Sequence, residues 1–155
     1  MPGAGFYSIH TDELKFASDG RWYADGEPIE HARLANLFSR HLRRKPSGGY
    51  EIWIDAQYHA DVRVEDTMFV VVGVDLADDT GATIQLNDGS SEPLAAETLE
   101  TGADDVLYCR VKCASERARF LRSAYNHLAP HIEGIDAESF ALRIGSRLYP
   151  IRNHR

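Results

Sequence analysis

The amino-acid sequence predicts an α+β protein made of two small related units, each an amphipathic helix packed on a curved antiparallel sheet. Three observations predict it. Short apolar and aromatic runs, bounded by Asp-Gly, Gly-Gly and Asn-Asp-Gly turns, recur along the chain as strands and hairpins do. Only two segments, 30–45 and 115–130, carry helical periodicity. Strands and helices do not alternate regularly, which disfavours a doubly wound parallel sheet.

The segment "LKFASDGRWYADGEPI" (14–29) holds Asp19-Gly20 and Asp25-Gly26 between short runs, so it reads as strand, turn, strand, turn. "EHARLANLFSRHLRRK" (30–45) places Leu34, Leu37, Phe38 and Leu42 near i, i+3, i+4 spacing, the stripe of an amphipathic helix. Arg40, Arg43, Arg44 and Lys45 suit the negative end of its dipole, and Pro46 stops it. "YEIWIDAQ" (50–57) alternates Tyr50, Ile52 and Ile54 against Glu51, Trp53 and Asp55. Strands follow at 61–65, 67–76 and 82–86, then a turn in "NDGSSEP" (87–93) and a strand in "DVLYCRVKC" (105–113). "SERARFLRSAYNHLAP" (115–130) is the second helix, with Ser115 as N-cap, Pro130 as stop, and Phe120, Leu121, Ala124, Tyr125 and Leu128 as its buried stripe. "FALRIGSRLYPI" (140–151) closes the chain as a hairpin around Gly145-Ser146.

A boundary after residue 76 separates an N-terminal unit, 1–76, from a C-terminal unit, 77–155. A loose echo accompanies it: "LKFASDGRWYADG" and "FALRIGSRLYPIR" both set a turn glycine ahead of two bulky residues.

Composition narrows the function classes. The chain has 155 residues, 43% hydrophobic and 26% charged, as a folded domain does. A formal net charge of −7 argues against nucleic acid and anionic membrane surfaces as partners, since both reward clustered positive charge. The opening "MPGAGFYSIHTDEL" lacks the basic and apolar regions of a signal peptide, so a cytoplasmic location is expected. Cys109 and Cys113 on one strand would lie about 13 Å apart, too far to bridge, and are expected as buried thiols.

In order along the chain, "DGRWYADGEPI", "LFSRHLRR", "GGY" and "VEDTMF" resemble the bacterial family known as domain of unknown function 1285 (DUF1285). The matching positions are Asp19, Gly20, Trp22, Gly26, Pro28, Ile29, Leu37, Phe38, Ser39, Leu42, Arg43, Arg44, Val64, Glu65, Asp66 and Phe69. The resemblance implies two similar α+β units, the second like a pleckstrin-homology fold. It also implies a site for a nucleotide-like anion where the units meet, a signalling role, and no established catalytic residues. One departure stands out: the family's Thr-Pro-x-Glu stretch is replaced by "DAQYHA" (55–60), so a binding role of that Glu has no carrier here.

Candidate site residues are Trp22, Arg43, Arg63, Glu65 and Asp66, with the two arginines for anion contact. Arg63 and Glu65 share a strand face and suit a solvated ion pair. Asp66 falls on the face of Val62 and Val64, either tying down a bend through backbone N–H groups or bordering a pocket. Arg143, Arg147 and Arg152 on the last hairpin are either further anion ligands or ordinary surface charge. Trp53 stands opposite Ile52 and Ile54, either covered or free to stack on a ligand. His127 and His131 are spaced i, i+4, but Pro130 between them separates the rings, and no metal or other cofactor is expected.

The preferred function is a non-enzymatic ligand-binding or signalling module with a small anionic or nucleotide-like ligand between the units. The alternatives are an enzyme whose carboxylates and arginines act on a small anionic substrate, which a buried Asp66 facing a pocket would favour, and a homodimeric interaction domain using a sheet edge or Trp53.

Overall fold

The computed structural model describes residues 13–153, so the opening residues, and the leader question attached to them, lie outside the described residues. The chain packs as two compact units: the described part of Met1–Met68 with Asn87–Gly89, and Phe69–Leu86 with the described part of Ser90–Arg155.

In the first unit β1 (Leu14–Phe16), β2 (Trp22–Ala24) and β3 (Glu27–Pro28) form a meander. The turn from β2 to β3 needs positive φ at two successive residues, which Asp25 (49°) and Gly26 (85°) supply. Helix α1 (Ala32–His41) follows, its first turn capped by His31 Nδ1, which accepts from the Leu34 N–H. Leu42 then turns extended, and β4 (Leu42–Arg44), β5 (Tyr50–Trp53) and β6 (His59–Val64) make a second meander. The six strands lie in the order β3-β2-β1-β6-β5-β4, antiparallel except where β6 returns parallel beside β1. Phe16, Trp22, Phe38 and Ile52 are fully buried; the Trp22 ring lies 5.1 Å from Phe16 and 5.4 Å, edge-on, from Phe38. Burying side chains of this size stabilises a fold by ~1.5–3 kcal/mol each.

The second unit opens with β7 (Phe69–Asp78), β8 (Gly81–Leu86) and β9 (Ser91–Pro93). Next come β10 (Glu100–Thr101), β11 (Leu107–Val111) and β12 (Glu116–Phe120), then helix α2 (Arg122–Leu128) with one turn of 3-10 helix at Ala129–His131. It closes with β13 (Ile132–Gly134), β14 (Phe140–Ile144) and β15 (Arg147–Asn153). The nine strands lie in the order β13-β14-β15-β10-β11-β12-β7-β8-β9, with β10–β15 and β12–β7 parallel. Val71, Ile84, Leu99, Val111, Leu128 and Leu142 centre its core.

The two strand orders contain the same figure. Meander, helix, meander, with the last strand parallel to the first, describes both β1 through β6 and β10 through β15. Register makes the correspondence residue by residue. Phe16 faces Trp22 and Val64 across its neighbours; Thr101 faces Leu107 and Asn153 in the same way. Tyr50 pairs with Val62 as Phe140 pairs with Ile151, and Leu42 with Ile52 as Ile132 with Leu142. Counting back four residues from Leu42 and Ile132 matches Phe38 with Leu128, and one residue further on matches Ser39 with Ala129.

The α+β character and the two helices agree with expectation, but four readings change. The sheets are mixed, because each parallel contact joins strands distant in sequence that no local signal pairs. The first helix stops at His41, so Arg43 and Arg44 extend along a strand instead of meeting a helix dipole. The second begins only at Arg122: residues 116–120 form β12, which inserts between β11 and β7 and buries Ala118 and Phe120 in alternation. The hairpin leading into it turns through Lys112, Cys113 and Ala114, all at positive φ, a conformation no helix N-terminus at Ser115 accommodates. The echoing segments 14–26 and 140–152 occupy different places in the shared figure, since β1 corresponds to β10 and not to β14.

Candidate functional site

The five residues singled out from sequence fall in the first unit, in three settings. Trp22 is core: it is 1% exposed, and its Nε1–H donates to the Ser39 hydroxyl at 2.9 Å. Its indole is therefore unavailable to a surface ligand. Arg43 and Arg63 share the sheet face opposite that core, because cross-strand partners point the same way. Arg43 pairs with Glu51 and Glu51 with Asp61, two residues before Arg63, which pairs with Lys15 on β1. Glu65 and Asp66 form the bend after β6.

Charge on this face is matched pair by pair. Arg43 Nε donates to Glu51 at 2.9 Å and its guanidinium lies 4.3 Å from the centre of the Trp53 ring, on which His59 also stacks at 5.0 Å. Lys45 reaches Asp61 at 3.0 Å, Arg63 reaches Glu13 at 3.9 Å and Lys15 reaches Glu65 at 3.9 Å. Glu65 consequently does not pair with Arg63 as its spacing suggested. It sits beyond the strand end, where its carboxylate accepts the Ser18 backbone N–H at 2.8 Å. That hydrogen bond, helped by Lys15 and Arg63, holds its pKa below the ordinary carboxylate value. Trp53 is half-buried beneath Arg43 and His59, with Glu51 buried beside it.

A different place in the structure has the shape of a binding site. A cleft of about 720 Å³ opens in the second unit, between α2 with its 3-10 extension and the ends of β10, β11, β13, β14 and β15. Its volume lies in the range that holds small molecules. Its apolar lining is Leu107, buried, with Ala129, Ile132 and Ile151, half-buried, and Phe140, exposed. Thr101, Tyr125 and Asn153 add hydroxyl and amide groups to the lining, and Asp105 and Glu138, both exposed residues, complete its polar part.

Register explains the space. In the first unit the positions between helix and sheet hold Phe16, Trp22 and Phe38, with Ser39 receiving the indole N–H. The corresponding residues here are Thr101, Leu107, Leu128 and Ala129. Three aromatic rings stand against two leucines and a threonine, and Val64 against Asn153. Tyr125, at the position of Ala35, returns only part of that bulk. None of the cleft residues was singled out from sequence for a site. The signal that locates them is the spacing Phe38 to Leu42 against Leu128 to Ile132, each closing a helical segment onto a strand.

Among the described residues, no three His, Cys, Asp or Glu side chains gather as a metal set. Cys109 is buried in β11 as expected, but Cys113 is exposed in the hairpin turn, because β11 ends at Val111. Arg143 is held by Glu133 across the β13–β14 pair, which lowers the Glu133 pKa. Among the described residues, no helix is long and apolar enough to cross a membrane.

Comparison with known proteins returns fold relatives. A DUF1285 family protein from Silicibacter pomeroyi DSS-3 superposes with a TM-score of 0.67 at 21% identity, covering 96% of this chain and 93% of that one. A DUF1285 family protein from Shewanella baltica OS155 gives 0.56 at 18% identity, covering 76% and 90%. No protein-family model and no curated protein matches the chain.

Proposed function

We propose that this chain, whose fold is DUF1285-like, is a non-enzymatic module that binds a small molecule in the cleft of its second unit. The observation that carries the reading is the exchange of Phe16, Trp22 and Ser39 for Thr101, Leu107 and Ala129, which leaves about 720 Å³ open where the first unit is filled. The lining has hydrogen-bonding groups for orientation and an apolar body for affinity, the usual composition of a ligand pocket. Asp66, whose placement in a pocket would have favoured the enzymatic alternative, lies in the first unit and does not line this cleft. Cytoplasmic signalling, two units related by duplication, and a pleckstrin-homology-like second unit belong to the same proposal. The shared strand order supports the second of these, and the single α-helix beside nine strands among the described residues of that unit supports the third.

The test is a thermal-shift screen of the full chain with neutral, cationic and anionic small molecules, run beside the double variant Leu107→Trp/Ala129→Ser. That variant rebuilds the indole–hydroxyl pair of the first unit inside the cleft. Ligands that raise the melting temperature of the wild type and not of the variant support the reading. Equal shifts in both place the ligand elsewhere.

A second reading keeps the anionic or nucleotide-like ligand on the face of Arg43, Trp53 and Arg63. It is favoured by the gathering of two arginines and an indole on one sheet face, and opposed by the carboxylate already facing each cation. Nucleotide protection abolished by Arg43→Ala or Arg63→Ala supports it. A homodimer would use the exposed Ile135, Phe140 and Leu148 of the closing hairpins, and light scattering on the full chain decides it.

A further inference from the structure

We infer that the ligand of the second-unit cleft carries a flat, fused-ring aromatic group, the counterpart of the indole that fills the corresponding place in the first unit. The inference rests on the cleft reading above and adds the class of its ligand. Size follows from register. The row of Phe16, Trp22 and Val64 stands against Thr101, Leu107 and Asn153, and all three of the latter line the cleft. A phenyl ring and an indole on one side therefore correspond to a threonine and an isobutyl group on the other. Tyr125, at the position of Ala35, supplies one six-membered ring. That accounts for the phenyl of Phe16 and leaves the indole of Trp22 without an equivalent.

Aromatic character follows from the rings already on the lining. In the first unit Trp22 is packed by two rings, Phe16 at 5.1 Å and Phe38 at 5.4 Å. Two rings also line the cleft, Tyr125 and Phe140, and neither meets another aromatic ring among the described residues. Phe140 is 50% exposed, and of the large apolar side chains standing so exposed among the described residues it alone lines the cleft. An aromatic ligand gives Tyr125 and Phe140 the tilted and edge contacts that Phe16 and Phe38 make with Trp22, and such contacts contribute beyond the burial of area. A saturated ring buries carbon without supplying them.

The experiment uses three uncharged probes with one tail, naphthylbutanol, phenylbutanol and cyclohexylbutanol, titrated into the full chain and followed by amide and methyl chemical shifts. Burial alone would rank cyclohexylbutanol above phenylbutanol, because the saturated ring is the larger and more apolar. Ring contacts reverse that order, and phenylbutanol should bind about fivefold more tightly than cyclohexylbutanol. Naphthylbutanol should bind about tenfold more tightly again, from the added area of the second ring, and should move the Leu107 methyl signals upfield. In Tyr125→Leu/Phe140→Leu the preference for phenyl over cyclohexyl should disappear. Naphthylbutanol binding more weakly than phenylbutanol, cyclohexylbutanol binding as tightly as phenylbutanol, or a phenyl preference that survives the double variant overturns the inference while leaving the cleft reading intact. Binding by none of the three overturns the cleft reading and the inference with it.

Discussion

Trp22 donates its indole N–H to the Ser39 hydroxyl at 2.9 Å in the first unit, and the residues in the same two positions of the second unit are Leu107 and Ala129, which line a cleft. One pair of positions thus has two outcomes in one chain. Where the aromatic is present the space between helix and sheet is solid core; where it is absent the same backbone figure leaves a cavity.

The hydrogen bond should be measurable by its loss. Ser39→Ala leaves a buried indole N–H without its acceptor, which costs about 1–3 kcal/mol. Trp22→Phe removes the donor and part of the ring and should cost a similar amount or more through the void it leaves. Chemical denaturation of the two variants checks this, and a cost near zero for Ser39→Ala would mean that solvent reaches the indole.

On the charged face, Arg43→Ala should destabilise more than an ordinary surface change, because Glu51 is buried and loses its donor. Arg43 is itself half-exposed, so the expected cost is about 1–2 kcal/mol, between exposed and buried ion pairs. Arg43→Lys keeps the charge but not the planar fork over Trp53 and should recover only part of it. A double-mutant cycle with Glu51→Gln measures the coupling.

Acid should weaken the fold through identifiable carboxylates. Glu65 is lowered chiefly by the Ser18 N–H, Asp136 chiefly by the Glu138 N–H, and Glu133 by Arg143. A folded pKa below the unfolded one contributes stability that is complete above the ordinary carboxylate range, near pH 4, and is lost as the pH falls through the folded values. Glu65→Gln and Asp136→Asn cannot titrate, so their melting temperatures should fall less steeply with acid than that of the wild type. Parallel slopes in all three proteins would contradict the assignment.

The two thiols should separate cleanly. Burial, with a smaller contribution from Glu92, pushes Cys109 up to about 12, whereas Cys113 is exposed in its turn. Iodoacetamide at mildly alkaline pH should modify Cys113 alone in the native chain and Cys109 only after unfolding. Mass spectrometry of the labelled peptides reads this directly, and native labelling of Cys109 would show that β11 opens.

Local chemistry is what the sequence made legible. Asp25-Gly26 and Gly145-Ser146 place their hairpins, because those turns need positive φ. The stripe of Leu34, Leu37 and Phe38 places the first helix. Helix ends were harder to place: Arg43 and Arg44 look like C-terminal charges and are strand residues, while Glu116–Phe120 suits a helix alone and becomes β12 when β7 pairs beside it. Of the candidate site, the sequence showed that Arg43 and Arg63 are chemically apt, but their carboxylate partners come from strands brought alongside in space. The cleft is not legible because it is a difference between two halves, and the echo of 14–26 in 140–152 joins hairpins that hold different places in the strand order. Only the strand order sets Thr101 against Phe16.

The central claim, that the ligand enters the second unit and not the charged face of the first, is tested most directly by amide proton–nitrogen correlation spectra of the full chain titrated with phenylbutanol, a probe without charge. The account predicts shifts gathered at Thr101–Leu107, Tyr125–Ile132 and Ile151–Asn153. Shifts gathered at Arg43–Arg63, or none at saturating probe, would contradict it.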